Sequence, residues 1–196
     1  MDSSDRLKVL PEIIRKSIHL GCSILPLLYY FYLSREQIII LSSIISIILI
    51  ISEYLRYRFN ATRKLFHMVF GFLLREDEKD KTITGASYLF ISATVTFLIF
   101  EKNIAIPAVL VLTISDSLAA IVGKATVSPK FIGKSVAGSV TFFFFTGCIL
   151  IILVPGKAVF MVTVAALLTI LEALPLKIND NILIPLATGI ILYLVI

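Results

Sequence analysis

The sequence predicts an all-α fold: a polytopic membrane helix bundle of about seven transmembrane helices plus a short interfacial or re-entrant segment. Three observations predict it. Of the 196 residues 58% are hydrophobic and the mean hydropathy is +0.99, so a soluble domain of this size would present more apolar surface than water tolerates. The apolar residues are gathered into runs of the length a helix needs to cross a bilayer core about 30 Å thick. The Lys and Arg residues behind the formal charge of +5 sit in short segments between those runs rather than on one basic surface, which argues against nucleic acid as a partner. One membrane domain, 1–196, accounts for the whole length.

In order, the runs are Ser17 to Leu33, Gln37 to Leu55, Ile83 to Phe100, Ile104 to Gly123, Ser135 to Val154, Ala158 to Leu174 and Ile182 to Ile196. Leu65 to Leu74 is too short to cross and carries His67, so it reads as the interfacial or re-entrant segment. With it left out of the crossings, fifteen of the eighteen basic residues fall on one side, and only Arg35, Lys102 and Lys157 fall on the other. That asymmetry places the N-terminus in the cytoplasm and the C-terminus outside. The expected location is a prokaryotic plasma membrane. The polar start from Met1 to Lys16 has no cleavage pattern after the first run, so that run is expected to persist. Cys22 and Cys148 lie in apolar stretches without a CxxC pair and support neither a zinc site nor a disulfide framework.

The outer turns, Ser34 to Glu36, Glu101 to Asn103 and Pro155 to Lys157, are too small to form a site, whereas the inner loops hold nearly all the charge. Asp116 is the most informative residue. A carboxylate about 10 Å inside its span needs a polar cavity, a cation or a buried partner, and a packing role beside a lysine is the alternative to a functional one. Ser117, Ala120 and Gly123 follow it at helical spacing and offer small side chains beside it. The loop that follows brings together Lys124, Lys130, Lys134, Gly133 and several hydroxyls, then starts a helix at Ser135. Lysine neutralises phosphate, glycine permits close backbone approach, and a helix start attracts anions. Gly133-Lys134-Ser135 is no Walker sequence, because Ser128 stands where the first glycine is required.

Arg15, Lys16 and His19 open the first span at the same face. Arg75, Glu76, Thr84 and Gly85 lead into the third, Glu172 closes the sixth, and Asp180-Asn181 precedes the seventh. Each has a plain reading as a headgroup anchor, a helix cap or an interfacial residue. Their placement on one side favours a shared site.

In this order the pattern resembles the CTP-dependent lipid kinases, which include dolichol, phytol and yeast-type diacylglycerol kinases. The residues carrying the resemblance are Arg15-Lys16-x-x-His19, Arg75-Glu76 with Thr84-Gly85-Ala86, Asp116-Ser117-x-Ala119-x-x-x-Gly123-Lys124, Lys134-Ser135-x-x-Gly138-Ser139, and Glu172 with Asp180-Asn181-x-x-x-Pro185. The Asp116 to Ser139 block is also similar to the nucleotide region of phosphatidate cytidylyltransferases, although Ala137 stands where glutamate is common in both families. The resemblance implies CTP as phosphoryl donor, a lipid alcohol (polyprenol or dolichol, phytol or diacylglycerol) as acceptor, and Mg²⁺ or another divalent cation. It implies Asp116 and Lys134 as catalytic residues and Asp116, Glu172 and Asp180 as metal ligands. Arg75, Glu76, Ser117, Gly123, Lys124, Gly133, Lys134, Ser135, Gly138, Ser139 and Asn181 would bind nucleotide, and Arg15, Lys16 and His19 would lie at the lipid or interface. A cytidylyltransferase and a small transporter are the competing expectations. The transporter is disfavoured because the outer turns are too small to form a site on that side of the membrane.

Overall fold

The computed structural model describes residues 3–74, 83–155 and 157–196. The first apolar run, expected as one span, is divided between α1 (Ser3–Gly21) and α2 (Ile24–Phe31). Pro26 causes the break: it has no N–H to offer the Cys22 carbonyl and its ring crowds that carbonyl, so it is accommodated in the first turn of a new helix. In the other direction α1 extends well into the polar start, and this carries Arg15, Lys16 and His19 on a helix of 19 residues.

Helix α3 (Arg35–Arg58) opens on a capping box. Ser34 Oγ accepts from the Gln37 N–H at 3.3 Å, and Gln37 Oε1 accepts from the Ser34 N–H at 2.9 Å. Arg56 and Arg58 fall in its last turn, where cations complement the helix dipole. Next comes α4 (Asn60–Phe70), continued by a 3₁₀ turn at Gly71–Leu73; none of its residues is buried, and Leu65, Met68, Val69 and Phe70 face outward. Its 11 residues span only about 16 Å, consistent with a segment lying along an interface.

The remaining elements are α5 (Gly85–Ile99), α6 (Lys102–Ala125), a hairpin of β1 (Lys130–Phe131) and β2 (Lys134–Ser135), α7 (Val136–Leu153), α8 (Ala158–Ala173) and α9 (Asp180–Val195). The hairpin pairs Lys130 with Ser135 and Phe131 with Lys134 in antiparallel register. Among the described residues the fold is otherwise helical, as expected.

Three helices, α3, α6 and α7, are long and apolar enough to cross a bilayer. Helices α5, α8 and α9 are apolar but have only 15 or 16 residues, about 24 Å at most against a core of about 30 Å. By length and composition three helices are thus shown to be able to cross, and the remaining expected spans fall short of that measure. At α5 a polar cap trims the expected run, Thr84 accepting the Ser87 N–H, whereas at α9 the cap Asn179, accepting the Asn181 N–H, starts the helix at Asp180, ahead of the expected Ile182.

Helix α6 is the axis of the bundle, with 78% of its apolar window buried against 22% for α3. Helices α1, α2, α5, α7 and α9 pack around α6, whereas α3 packs outside against α5 and leaves Ile40, Ile44, Ile47, Ile48 and Ile51 exposed. Such outward-facing apolar helices are compatible with a membrane protein. Inside, Tyr29 meets Phe97 edge to face at 5.6 Å. Gly189 lets α9 approach α5, since a Cβ there would lie 2.3 Å from the Phe100 ring.

Candidate functional site

Helix α6 changes its winding where it carries its acid. From Val111 to Asp116 it is a π-helix, and regular α-helix resumes at Ser117. Such wide turns re-aim the side chains that follow and are frequent at functional sites. Asp116 is buried and accepts from Lys16 Nζ, which is buried too and comes from α1, 100 residues earlier in the chain. The carboxylate thus has the compensating partner that its depth requires.

Lys134 joins three elements. From the start of β2 its Nζ lies 2.8 Å from Glu172 Oε1 at the end of α8 and 2.8 Å from Asp180 Oδ2 at the start of α9. Burial works against the charged ammonium, but the two carboxylates outweigh it and hold the Lys134 pKa above the ordinary lysine value. Glu172 is almost fully buried, and its Oε2 has no hydrogen-bond partner.

The hairpin and α7 are held against α6 by a close crossing. A Cβ on Gly123 would lie 2.5 Å from Ser135 Oγ, and one on Gly138 would lie 2.9 Å from the Ala119 carbonyl, while the two glycine Cα atoms sit within contact of each other's sites. Ser135 caps α7 by accepting the Gly138 N–H at 3.1 Å, and Ser128 Oγ accepts the Ala137 N–H at 3.2 Å. In the hairpin turn the β-branched Ile132 takes a φ of 57°, a conformation costing about 1–2 kcal/mol. Gly133 packs there on the end of α8, with space for a Cβ limited by the Ala173 carbonyl at 3.2 Å.

These elements enclose a cavity of about 500 Å³. Lys16, Lys124, Lys130 and Lys134 line it together with Glu12, Asp116, Glu172 and Asp180, and Gly123, Gly133, Ser135 and Gly138 complete its walls. Most of the residues expected in the site are therefore brought together. Ser117 and Ser139 are buried without side-chain hydrogen bonds rather than lining the cavity. Asn181 instead ties α9 to α5, donating from Nδ2 to the Gly85 carbonyl at 3.0 Å. Arg75 and Glu76 lie outside the described residues. A wider hollow of about 730 Å³ opens at the other end of α8, but its one charged side chain is Lys157, which donates to the Val195 carbonyl at 2.7 Å.

The three expected metal ligands line one cavity without forming a ready ligand group: among the described residues no cluster of three or more His, Cys, Asp or Glu is close enough to hold an ion. Lysines stand between the carboxylates. A site with the spare Glu172 oxygen and one further carboxylate still fits Mg²⁺, which typically draws on one or two carboxylates and completes its shell with substrate phosphates and water.

Comparison with known proteins adds a relative of nearly the same length. The uncharacterized protein RP860 of Rickettsia prowazekii (strain Madrid E) is 32% identical over 182 residues, covering 88% of this chain and 89% of the relative. The chain belongs to the same family as that protein. The kinship is one of whole chains rather than of a shared motif. No family model matches the sequence, and no solved structure matches it.

The structure also brings forward two residues that sequence reasoning passed over. Glu53 and Arg56 of α3 are buried and paired at 2.5 Å. Glu53 Oε1 also accepts from the Thr84 N–H at 2.9 Å and from Ser87 Oγ at 3.1 Å, which fixes the start of α5. Their i, i+3 spacing at the end of an apolar run was the available signal.

Proposed function

We propose that this protein is a CTP-dependent kinase that phosphorylates a membrane lipid alcohol (polyprenol or dolichol, phytol or diacylglycerol) at the cytoplasmic face. The observation carrying this reading is the 500 Å³ cavity in which four lysines face four carboxylates at one end of an otherwise apolar bundle. A soluble, highly charged donor and an acceptor with its tail in lipid react most readily at such a boundary. Phosphoryl transfer asks of a protein mainly positioning and charge neutralisation.

The ion pairs suit that task. Lys134 and Lys16 hold their ammonium groups on carboxylates, and a triphosphate entering the cavity would exchange for those carboxylates at each ammonium. Lys124 and Lys130, exposed at the rim, extend the positive lining toward the solvent. Glu172, with Asp116 or Asp180, would hold Mg²⁺. The ion supplies charge neutralisation on the phosphates when bound.

The decisive assay incubates purified protein with CTP, Mg²⁺ and each alcohol in turn. The expected result is release of CDP together with a phosphorylated alcohol. Release of pyrophosphate would assign a cytidylyltransferase instead, and neither product with retained binding of a solute would favour a transporter.

The sidedness of the site is part of the proposal. Seven crossings with the N-terminus inside would put the loops around Arg58, Lys124 and Lys134 in the cytoplasm, in keeping with the fifteen-to-three division of basic residues. Single cysteines at Ser34 and Ser128, introduced after Cys22 and Cys148 are replaced, test this in intact cells. An impermeant thiol reagent is expected to label Ser34→Cys and to spare Ser128→Cys until the membrane is opened; the reverse pattern would invert the topology.

A further inference from the structure

We infer that the apolar chamber between α1, α3, α4 and the start of α5 receives the hydrocarbon chain of the lipid alcohol, and that His19 at its inner end hydrogen-bonds the hydroxyl. This deepens the kinase reading and rests on it only in taking a lipid alcohol as the acceptor.

The chamber has a volume of about 370 Å³, and Ile18, Ile48, Leu49, Phe66, Phe70 and Leu73 form its apolar wall. It has room for roughly a dozen groups the size of a water molecule at about 30 Å³ each, hence for the first part of a chain whose remainder stays among lipids. Its outer wall opens that way, because Ile48 and Phe70 also face outward.

The polar groups bordering the chamber divide into two kinds. Glu53 is already engaged by Arg56, the Thr84 N–H and Ser87, and Arg15 pairs with Glu12 at 2.6 Å. His19 differs: it is 3% exposed, and neither Nδ1 nor Nε2 has a hydrogen-bond partner. Leaving a polar group buried and unsatisfied is costly, which favours a ligand that completes it. A neutral imidazole offers one donor and one acceptor, and a hydroxyl offers the same pair.

Position supports the assignment independently. His19 lines both the apolar chamber and a smaller cavity of about 210 Å³ that it shares with Lys16, Asp180 and Asn181. Lys16 and Asp180 in turn line the charged cavity. A chain lying in the apolar chamber with its hydroxyl on His19 therefore presents that hydroxyl one helical turn from Lys16, on the side where the phosphates would be.

The test uses the full chain in phosphatidylcholine vesicles without nucleotide, and hexadecan-1-ol bearing a mid-chain diazirine as the probe. Photolysis is expected to label Ile48, Leu49, Phe66 or Phe70, and excess hexadecan-1-ol should suppress that labelling about five- to tenfold better than hexadecane, the discrimination one neutral hydrogen bond provides. His19→Ala should abolish the preference, and His19→Gln, which keeps a donor and an acceptor, should restore part of it. Ala86→Phe, which fills the chamber and leaves His19 in place, should remove the labelling. Label spread over outward residues such as Ile40 and Ile44, indifferent to competitor, would overturn the chamber; equal competition by alcohol and alkane in the parental protein would overturn the role of His19. Because no nucleotide is present, alcohol-selective labelling without CDP release in the turnover assay would count against the kinase reading alone, and CDP release without chamber labelling would count against this inference alone.

Discussion

Replacing Asp116 by Asn is expected to abolish turnover and to destabilise the protein at the same time, because Lys16 is left as an unpaired charge in a buried place. Removing one partner of a buried ion pair typically costs about 3–5 kcal/mol. The structural and functional losses can be separated by the double variant Lys16→Gln/Asp116→Asn, which removes both charges. Its thermal midpoint should recover toward the parental value, while phosphorylation of lipid remains at least about a hundredfold down. Nucleotide binding by the single variant Asp116→Asn, set beside Lys16→Gln alone, divides the two roles open to Asp116. If it holds the divalent ion, Mg²⁺-dependent CTP binding weakens with turnover; if it accepts the proton of the attacking hydroxyl, CTP binding survives. A double variant that folds, binds CTP and works at the parental rate would make the Lys16–Asp116 pair a packing device and displace the proposed reaction centre.

Lys134→Ala should lower turnover by about two or more orders of magnitude, the loss seen when one stabilising group at a transferring centre is removed. It also strips Glu172 and Asp180 of the cation they share, so the variant Lys134→Arg is the control that keeps the charge while altering its geometry. Partial activity is expected there, because a planar guanidinium cannot place a single point charge as an ammonium does. The direction of the Lys134 pKa sets a pH expectation. Because it is raised above the ordinary value of 10.5, stabilisation from this cluster is complete below that value and declines only as pH rises through the higher folded-state pKa. An alkaline loss of activity between pH 8 and pH 10 would therefore have to come from another group. Full turnover by Lys134→Ala would remove the residue from the site.

The helical elements were legible because their causes are local. Apolar runs bounded by Ser34, Thr84 and Ser135 fold into α3, α5 and α7 with those residues as caps, and a short amphipathic stretch around His67 becomes α4. The division of the first run was legible in principle, since Pro26 carries its own reason, but hydropathy alone masks it. The same measure overstates one span, carrying its run from Ile83 across the Thr84 cap at which α5 begins, and understates another, since α9 begins at Asp180 rather than Ile182.

By itself the sequence determined that the chain folds into apolar helices and that charge gathers in the segments around Asp116, Lys134 and Asp180. It also picked out most of the residues that line the charged cavity, though not Glu12, because a carboxylate in an apolar helix and three lysines in a short loop are costly or conspicuous wherever the chain goes. Only the tertiary structure decided who pairs with whom. Lys16 reaches Asp116 across 100 residues, Lys134 reaches Asp180 across 46, and Gly123 meets Gly138 at a helix crossing. Helical spacing fixes which side chains share a face, but the facing partner is chosen by packing between elements distant in sequence, and buried charges and glycine contacts are settled by that choice.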